Sequence, residues 1–462
     1  MTIAPSELQT ELATIVGVEH ALVDPDVVAG FCTDWTGRFV GHSPAVVRPG
    51  STAQVAAIVA WCRRAGVALV VQGGNTGLSG GAVPLRDEVV CSLRRLTTIG
   101  EVDRTSGQVT AGAGVTIADL QGRAASAGWA YGVDFASRDS ATVGGSIATN
   151  AGGLRVLRYG DTRAQVVGIE AVLGTGDVVS HLSGLTKDNT GYHLPSLLCG
   201  SEGTLGVITA ARLRLVPEES ERVVALLAFD DVAAALVAVG SLRSGLPSLS
   251  AAELFFDEGV ALVCRVFGLR APFSEPHRAY VLVEATGASD PSDALSSAVD
   301  SLRGVTDAAV ATDAVRAAQL WRYREAHTEA IATVGTPHKL DVTLPPGALA
   351  DFVAAVPAVV EGACPGAQTW LFGHAGDGNV HVNVTGASAE DDRIDESVLR
   401  LAAGMGGSIS AEHGIGVAKA RWLSLCRSPA EIAAFRSIKR ALDPDGVLNP
   451  SVLFPPEDEA IS

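Results

Sequence analysis

The sequence lacks the patterns that several large classes of protein require. Its seven cysteines are scattered singly and never reach a C-x-x-C spacing, which argues against iron–sulfur clusters and cysteine-type zinc sites. No apolar run reaches the roughly 18 residues of a membrane-spanning helix. The chain has no block of lysine and arginine, and 34 basic against 51 acidic residues give a net charge of −17. A nucleic-acid-binding protein is therefore not expected.

A secretory signal is also missing from the first 20 residues, which have no basic start followed by an apolar block. Isolated cysteines are typical of buried thiols in a reducing compartment. The sequence therefore predicts a cytoplasmic protein without a transmembrane segment.

What the chain does have is the composition of a large globular protein, with 462 residues, 47% hydrophobic residues and 51 glycines. Apolar periodicity predicts an α+β protein of two main parts. We expect a helical lead-in over residues 1–41, alternating strands and helices over 42–217, and an antiparallel sheet covered by helices over 218–427. Residues 428–462 form a final helical segment that returns to the first part.

Three glycine-rich loops are the first candidate site: residues 72–81 (QGGNTGLSGG), 142–153 (TVGGSIATNAGG) and 200–208 (GSEGTLGVI). Glycines let backbone N–H groups converge on a phosphate without obstruction by Cβ atoms. The loops match neither a Walker A motif nor a G-x-G-x-x-G turn, which disfavours P-loop chemistry and NAD on a Rossmann fold. Three such loops on one domain suggest an extended dinucleotide, most simply a flavin.

The order of these loops resembles the FAD-binding domain of the vanillyl-alcohol-oxidase superfamily, over residues 42–217. The resemblance implies a two-part FAD-binding domain and noncovalent FAD, because the first loop carries Asn75 and Thr76 where some relatives attach the flavin to a histidine. It implies the following cofactor contacts: Gly73, Gly74, Asn75, Thr76, Gly77, Ser79, Gly80, Thr142, Gly144, Gly145, Ala148, Thr149, Asn150, Gly153, Glu202, Gly203, Gly206, Ile208 and Asn449.

A second candidate site lies in residues 373–384 (GHAGDGNVHVNV), which are typical of a strand, a tight Asp-Gly turn and a returning strand. Such a turn brings His374 close to His381. Glu412 and His413 follow in a separate glycine-flanked segment. Two histidines and a glutamate form a ligand set that leaves a zinc ion open to substrate. The alternative is that these are polar turn residues without a metal.

A basic pocket is also predicted. In a helix expected over residues 313–334, Arg324 and Thr328 are four apart and share a face. Arg324 offers a two-pronged fork to a carboxylate, and Lys339 follows on the strand 338–344. The alternative for Arg324 is a surface ion pair with Glu325 or Glu329, which would contribute under about 1 kcal/mol.

The second half resembles the C-terminal oxidase domain of D-2-hydroxyacid dehydrogenases. The elements HVNV (381–384), SAEHG (410–414) and KLDVTLP (339–345) are more similar to the D-2-hydroxyglutarate dehydrogenases than to the D-lactate and glycolate enzymes. Leu340 departs from the pattern, because an aromatic residue often follows the lysine, and this leaves the pocket size open. The resemblance implies these roles: metal ligands His374, His381 and Glu412; substrate contacts Arg324, Thr328, Lys339, Asn383 and His413; and His413 as the catalytic base.

The activity implied by this resemblance is oxidation of an (R)-2-hydroxy acid, in the first place D-2-hydroxyglutarate to 2-oxoglutarate, with hydride transfer to FAD. D-lactate or glycolate oxidation and a non-catalytic flavin-binding subunit are the alternatives. Zinc is the expected divalent metal, although two histidines and a glutamate also suit manganese, cobalt or iron. Electrons would leave to an electron-transfer flavoprotein, a quinone or another carrier, and the chain could form a homodimer.

Overall fold

A computed structural model describes residues 5–388 and 390–454 and divides the chain into two compact units. The first unit contains the chain up to Gly153, Tyr159–Pro217 and the part from Glu412 onward. The second contains Leu154–Arg158 and Glu218–Ala411. The chain thus returns to the first unit at Glu412, whereas the sequence analysis places this return at residue 428. Residues 1–4 and 455–462 of the predicted terminal segments lie outside the described residues.

The first unit has two main sheets, and a distinct apolar cluster packs against each of them. Its strands are β1 (Ala21–Leu22), β2 (Val46–Val47), β3 (Leu69–Gln72), β4 (Val89–Ser92), β5 (Gln108–Gly112), β6 (Trp129–Ala130), β7 (Val166–Leu173), β8 (Val178–His181), β9 (Gly206–Arg214) and β10 (Val216–Pro217). One sheet has the order β1-β2-β4-β3, with β2, β4 and β3 parallel, and the other has the antiparallel order β5-β9-β7-β8. Strands β6 and β10 form a separate antiparallel pair.

Helices of the first unit begin and end largely where local signals predict. In the helix Thr52–Ala65, the side chain of Ser51 accepts a hydrogen bond from the N–H of Gln54, and Gly66 ends the helix in a left-handed conformation. The other α-helices of this unit are Pro5–Val16, Pro25–Ala29, Ile117–Ala125, Val143–Thr149, Thr162–Gln165, Leu194–Leu198 and Pro429–Leu442. A further short helix, Val156–Tyr159, lies where the chain passes between the two units.

The helix Val143–Thr149 corrects the sequence analysis, which treats residues 142–153 as a loop. The side chain of Thr142 caps this helix by accepting a hydrogen bond from the N–H of Gly145. Val143 and Ile147 are buried on one face. Because two glycines disfavour a helix locally, it depends on the capping threonine and on this packing.

The second unit is built on one antiparallel sheet, as the sequence predicts, and this sheet has seven strands. Its strands are β11 (Glu221–Phe229), β12 (Leu249–Phe256), β13 (Ala279–Gly287), β14 (Val305–Ala311), β15 (His338–Thr343), β16 (Gln368–His374) and β17 (Asn379–Thr385). Their order is β14-β11-β13-β12-β16-β17-β15. Alternate residues of β11 enter different apolar clusters, Val223 and Ala225 on one face and Val224 and Leu226 on the other.

Helices cover both faces of this sheet: Val232–Gly245, Asp257–Phe267, Ser292–Asp300, Ala314–Glu325, His327–Ala332, Leu349–Ala363 and Asp392–Gly404. The single helix predicted over residues 313–334 is wrong, because the structure has two helices separated at Ala326. Arg324 is buried whereas Thr328 is exposed, so the two residues do not share one helical face.

One segment of the described residues, Pro346–Ala363, has the length and mean hydropathy (1.3) that a membrane-spanning helix also has. Leu349, Phe352 and Val356 of this segment are buried within the second unit. A helix packed on a sheet passes the same test, so this feature is weak evidence for a membrane span.

Candidate active site

In the first unit, glycines allow the first two predicted flavin loops to lie directly against each other. A Cβ atom on Gly73 would lie 2.3 Å from Oγ1 of Thr142, and one on Gly74 would lie 2.0 Å from the carbonyl oxygen of Ser140. Both distances are far shorter than any real contact, so larger residues would separate the loops. The first loop can therefore approach Ser140 and Thr142 this closely only because residues 73 and 74 are glycines.

Several predicted flavin contacts have a left-handed backbone: Asn75 (φ 56°), Asn150 (φ 52°), Glu202 (φ 51°) and Asn449 (φ 43°). Asparagine tolerates this conformation well, whereas glutamate rarely adopts it. Such conformations cost about 1–3 kcal/mol and cluster at functional sites. The strained backbone at Glu202 is therefore typical of a residue in a functional site.

The side chain of Asn449 ties strand β3 to the first and third loops. Its Oδ1 accepts a hydrogen bond from the N–H of Val71 at 2.9 Å. Its Nδ2 donates to the carbonyl oxygens of Glu202 at 2.8 Å and of Gly81 at 3.3 Å. A Cβ atom on Gly203 would lie 2.7 Å from this Nδ2. Asn449 thus fixes the loops through the backbone, and its contact with a flavin stays a prediction.

Glu202 holds the segment that carries His413. Its Oε1 accepts a hydrogen bond from the N–H of Ile415 at 2.8 Å, and its Oε2 accepts one from the N–H of Gly416 at 2.7 Å. Burial raises the pKa of Glu202, although these backbone donors act in the opposite direction. A Cβ atom on Gly414 would lie 2.9 Å from the carboxyl carbon of Glu202, so the approach requires glycine.

The other two loops contact the same segment. The N–H of Gly153 donates to Oε1 of Glu412 at 2.7 Å, and Oγ of Ser79 donates to the carbonyl oxygen of His413 at 3.1 Å. Each of the three flavin loops therefore makes a hydrogen bond to residues 412–416. The remaining predicted cofactor residues also belong to this unit: Thr76, Gly77, Gly80, Gly144, Ala148, Thr149, Gly206 and Ile208.

In the second unit, the candidate residues share one face of the seven-stranded sheet. In the antiparallel register Glu253 lies opposite His374, and Lys339 lies opposite Asn383. Side chains alternate between the two faces along a strand, so residues two apart point the same way. This face therefore carries a row of polar side chains: Glu253, His374, Asn379, His381, Asn383, Lys339 and Asp341.

The tight turn brings the imidazoles of His374 and His381 together, with ring centroids 5.4 Å apart. Nδ1 of His374 lies 2.7 Å from Oε1 of Glu253, and Nδ1 of His381 lies 3.4 Å from Oδ1 of Asp341. A carboxylate at Nδ1 orients the ring and leaves Nε2 to bind a metal. Two imidazoles supported in this way fit a divalent cation.

Arg324 is buried and shares the carboxylate of Glu253 with His374, instead of forming a surface ion pair with Glu325 or Glu329. Its Nε lies 2.8 Å from Oε2 of Glu253, and its guanidinium lies 4.5 Å from the ring centre of Phe372. Burial raises the pKa of Glu253, but His374 and Arg324 lower it further, so the net shift is downward. Sequence reasoning missed Glu253, although an acidic residue inside the apolar strand LSAAELFF was a usable signal.

Two further groups on this face offer polar contacts. Burial lowers the pKa of Lys339. The buried Nδ2 of Asn383 has no hydrogen-bond partner within residues 5–388 and 390–454. A buried donor without a partner is costly and points to a polar ligand.

Glu412 and His413 are the first residues after the second unit ends. The N–H of Ala411, the last residue of that unit, donates to Oδ2 of Asp341 at 3.2 Å. Asp341 also accepts a hydrogen bond from Nδ2 of Asn379 at 2.7 Å. The last residue of the second unit, Ala411, is therefore fixed beside the residue that supports His381.

Comparison with known proteins identifies both parts of the chain. Residues 43–181 match the FAD binding domain family, and residues 218–453 match the family of FAD linked oxidases, C-terminal domain. A solved structure of p-cresol methylhydroxylase with substrate bound is similar to this chain, with a TM-score of 0.77 and 16% sequence identity. The match covers 97% of each of the two chains. This likeness confirms the predicted vanillyl-alcohol-oxidase fold.

Curated relatives are similar over nearly the whole length. D-2-hydroxyglutarate dehydrogenase of Xanthomonas citri pv. viticola is 39% identical, with 94% of each chain covered. The mitochondrial D-2-hydroxyglutarate dehydrogenase of Bos taurus is 37% identical over 94% of this chain and 81% of the relative. A putative mitochondrial D-lactate dehydrogenase of Schizosaccharomyces pombe is 34% identical over 95% of this chain and 88% of the relative. The chain therefore belongs to the FAD-linked oxidases, as an FAD-dependent oxidoreductase of the group that includes the D-2-hydroxyglutarate dehydrogenases.

Proposed function

We propose that this enzyme oxidises (R)-2-hydroxy acids, with D-2-hydroxyglutarate converted to 2-oxoglutarate as its main reaction. The proposal is carried by one observation: two histidines, each with a carboxylate at Nδ1, share a sheet face with Lys339 and the buried amide of Asn383, and the buried Arg324 lies beside them. Relatives named D-2-hydroxyglutarate dehydrogenase support the choice of substrate.

His374 and His381 would supply two ligands of a divalent cation, and Glu412 the third. The carboxylates of Glu253 and Asp341 support this assignment, because they occupy the Nδ1 side of each ring. A cation bound by these residues would lower the pKa of the substrate hydroxyl. Nitrogen and oxygen ligands suit zinc, and they also suit manganese, cobalt or iron.

His413 would take the hydroxyl proton as general base. Its backbone is held by Ser79, and the two residues after Gly414 are held by Glu202, so its position depends on the flavin loops. The α-hydrogen would leave the substrate as a hydride, which bound FAD accepts.

The substrate anions would be held by Arg324 and Lys339, with Asn383 as a hydrogen-bond donor. A substrate contact of Thr328, which is exposed on the following helix, stays a prediction. A 2-hydroxydicarboxylate carries two negative charges, which matches two cationic side chains better than the single charge of lactate or glycolate. Arg324 and Asn383 are buried, and a charge-assisted hydrogen bond is stronger in a site without water.

D-lactate is the second candidate substrate, because a relative of 34% identity is named as a putative D-lactate dehydrogenase. Anaerobic mixing of the enzyme with D-2-hydroxyglutarate, D-malate, D-lactate or glycolate, followed by flavin absorbance, separates these candidates. We expect the fastest bleaching with D-2-hydroxyglutarate and none with its L-enantiomer. Fastest bleaching with D-lactate would favour the second candidate, and no bleaching with any acid would contradict both.

The electrons would then leave to an external acceptor, because the sequence has no iron–sulfur motif. An electron-transfer flavoprotein, a quinone or another soluble carrier meets this need. Mixing substrate-reduced enzyme with each class of acceptor and recording flavin reoxidation distinguishes them.

A further inference from the structure

We propose that Glu253 is a positioning residue that orients two functional groups at once, the imidazole of His374 and the guanidinium of Arg324. The proposal rests on the function proposed above and deepens it, because it explains how a metal ligand and a substrate-binding cation are kept in a fixed relation. None of the sequence motifs discussed above includes Glu253.

The geometry places one oxygen of Glu253 on each group. Oε1 lies 2.7 Å from Nδ1 of His374, and Oε2 lies 2.8 Å from Nε of Arg324. The side chain of Glu253 is only 1% exposed. Because Glu253 and His374 lie directly opposite each other on β12 and β16, the backbone fixes their separation as well.

For His374, the contact selects one form of the ring. A neutral imidazole carries its proton on either nitrogen, and a carboxylate beside Nδ1 holds the proton there. The lone pair is then on Nε2, which points away from Glu253. Loss of the negative charge would release this preference and weaken any metal bound at Nε2, typically by about 10- to 100-fold.

For Arg324, the contact limits rotation of a long side chain. The contact through Nε is an ion pair and not a hydrogen bond, and the guanidinium also lies 4.5 Å from the ring centre of Phe372, so charge attraction and this ring together hold the side chain. The terminal nitrogens are then the donors that would meet a substrate carboxylate. Without Glu253 the guanidinium would keep its charge but lose its fixed direction, so substrate binding would weaken.

Glu284 provides a matched control on the same face of the sheet. It lies opposite Ala251, two residues before Glu253 on β12, and it is also buried. It accepts hydrogen bonds from Ser250 at 3.0 Å and from Nε1 of Trp321 at 3.1 Å. Replacement of Glu284 by glutamine therefore tests the loss of a buried carboxylate without touching His374 or Arg324.

The experiment compares Glu253→Gln and Glu284→Gln in the full-length enzyme loaded with FAD and stripped of metal. Zinc affinity is measured by competition with a fluorescent chelator, and KM and kcat are measured with D-2-hydroxyglutarate after zinc is restored. We expect Glu253→Gln to weaken zinc binding by about 10- to 100-fold and to raise KM, whereas Glu284→Gln leaves both close to the wild-type values. Equal zinc affinity in wild type and Glu253→Gln would overturn the proposal.

Two further measurements cover the remaining outcomes. If Glu253→Gln does not fold, Glu253→Asp replaces it, because aspartate keeps the charge but has a shorter side chain. We then expect a smaller loss of zinc affinity. The second measurement is NMR of the metal-free wild-type enzyme labelled with ¹⁵N-histidine. The signal of His374 is identified by its absence from a His374→Gln variant, and it should report a proton on Nδ1. A proton on Nε2 alone would overturn the proposal. If the wild type binds no zinc but His374 is protonated on Nδ1, the metal part of the proposed function fails while the positioning role stands.

Discussion

The carboxylate of Glu253 lies 2.7 Å from Nδ1 of His374, across two neighbouring strands in the interior of the second unit. Removing charged groups from water costs several kcal/mol per ion, so such a pair is weak evidence for stability alone. Buried charges with shifted pKa values are instead typical of functional sites. The pair therefore marks the candidate active site more sharply than any of the glycine loops.

The first prediction concerns the proposed base. His413→Ala should slow flavin reduction by D-2-hydroxyglutarate by about 10²- to 10⁴-fold, because the hydroxyl proton loses its acceptor. FAD content should stay unchanged. Stopped-flow absorbance measures the rate, and His193→Ala, at an exposed histidine of the same unit, serves as control. Reduction at the wild-type rate would remove His413 from the role of base.

The second prediction concerns substrate binding. Arg324→Lys should lower kcat/KM for D-2-hydroxyglutarate by about 10- to 100-fold, since hydrogen bonds to charged groups contribute roughly 1.5–3 kcal/mol and lysine lacks the planar fork. Arg322→Lys is the control, because Arg322 belongs to the same helix but is exposed and lies over Phe267. Similar kinetics for the two variants would contradict a substrate contact at Arg324.

The third prediction concerns the flavin loops. Gly74→Ala should reduce the FAD content of the purified enzyme and its melting temperature, because the new Cβ atom would meet the carbonyl oxygen of Ser140 at 2.0 Å. Gly122→Ala, inside the helix Ile117–Ala125, should instead stabilise the protein by about 0.5–1 kcal/mol, because the added Cβ atom would meet nothing within 4 Å beyond its chain neighbours and the backbone of its own helix. Full flavin content in Gly74→Ala would argue against a close approach of the two loops.

The fourth prediction concerns pH. Burial, with a contribution from Arg324, lowers the pKa of His327 from 6.5 to about 3. Below pH 6.5 the unfolded chain therefore takes up a proton that the folded state refuses, so the free energy of unfolding should fall by up to about 1.4 kcal/mol per pH unit from this residue.

Urea unfolding at several pH values between 7 and 4 tests this effect. His327→Gln should show a shallower loss of stability with acidification than the wild type. His42→Gln, at an exposed histidine that pairs with Asp87, serves as the control for the loss of an imidazole. An unchanged slope in His327→Gln would contradict a buried neutral imidazole.

Local signals account for the parts of the fold that the sequence predicts well. Ser51 and Gly66 mark the ends of one helix, and an Asp-Gly turn brings His374 to His381. The break at Ala326 has no such signal, because neither glycine nor proline interrupts the helical pattern there. The helix Val143–Thr149 was not predicted because its two glycines are typical of a loop.

Contacts between residues far apart in the sequence limit how much of the candidate site the sequence can predict. Glu253 and His374 are 121 residues apart in the sequence, and only the order of the strands makes them neighbours. The same holds for Glu202, whose partners at Ile415 and Gly416 lie more than 200 residues away. Motifs predict which groups would meet the ligands, whereas the residues that hold these groups in place became visible only in the fold.

Metal removal tests the central claim most directly. The enzyme is treated with a chelator that removes divalent metal while FAD is retained, and flavin reduction by D-2-hydroxyglutarate is followed anaerobically. We expect a loss of at least about 100-fold in the reduction rate, because the hydroxyl is no longer acidified by a cation, and recovery on addition of zinc. Reduction of the metal-free, flavin-replete enzyme at the original rate would contradict the account.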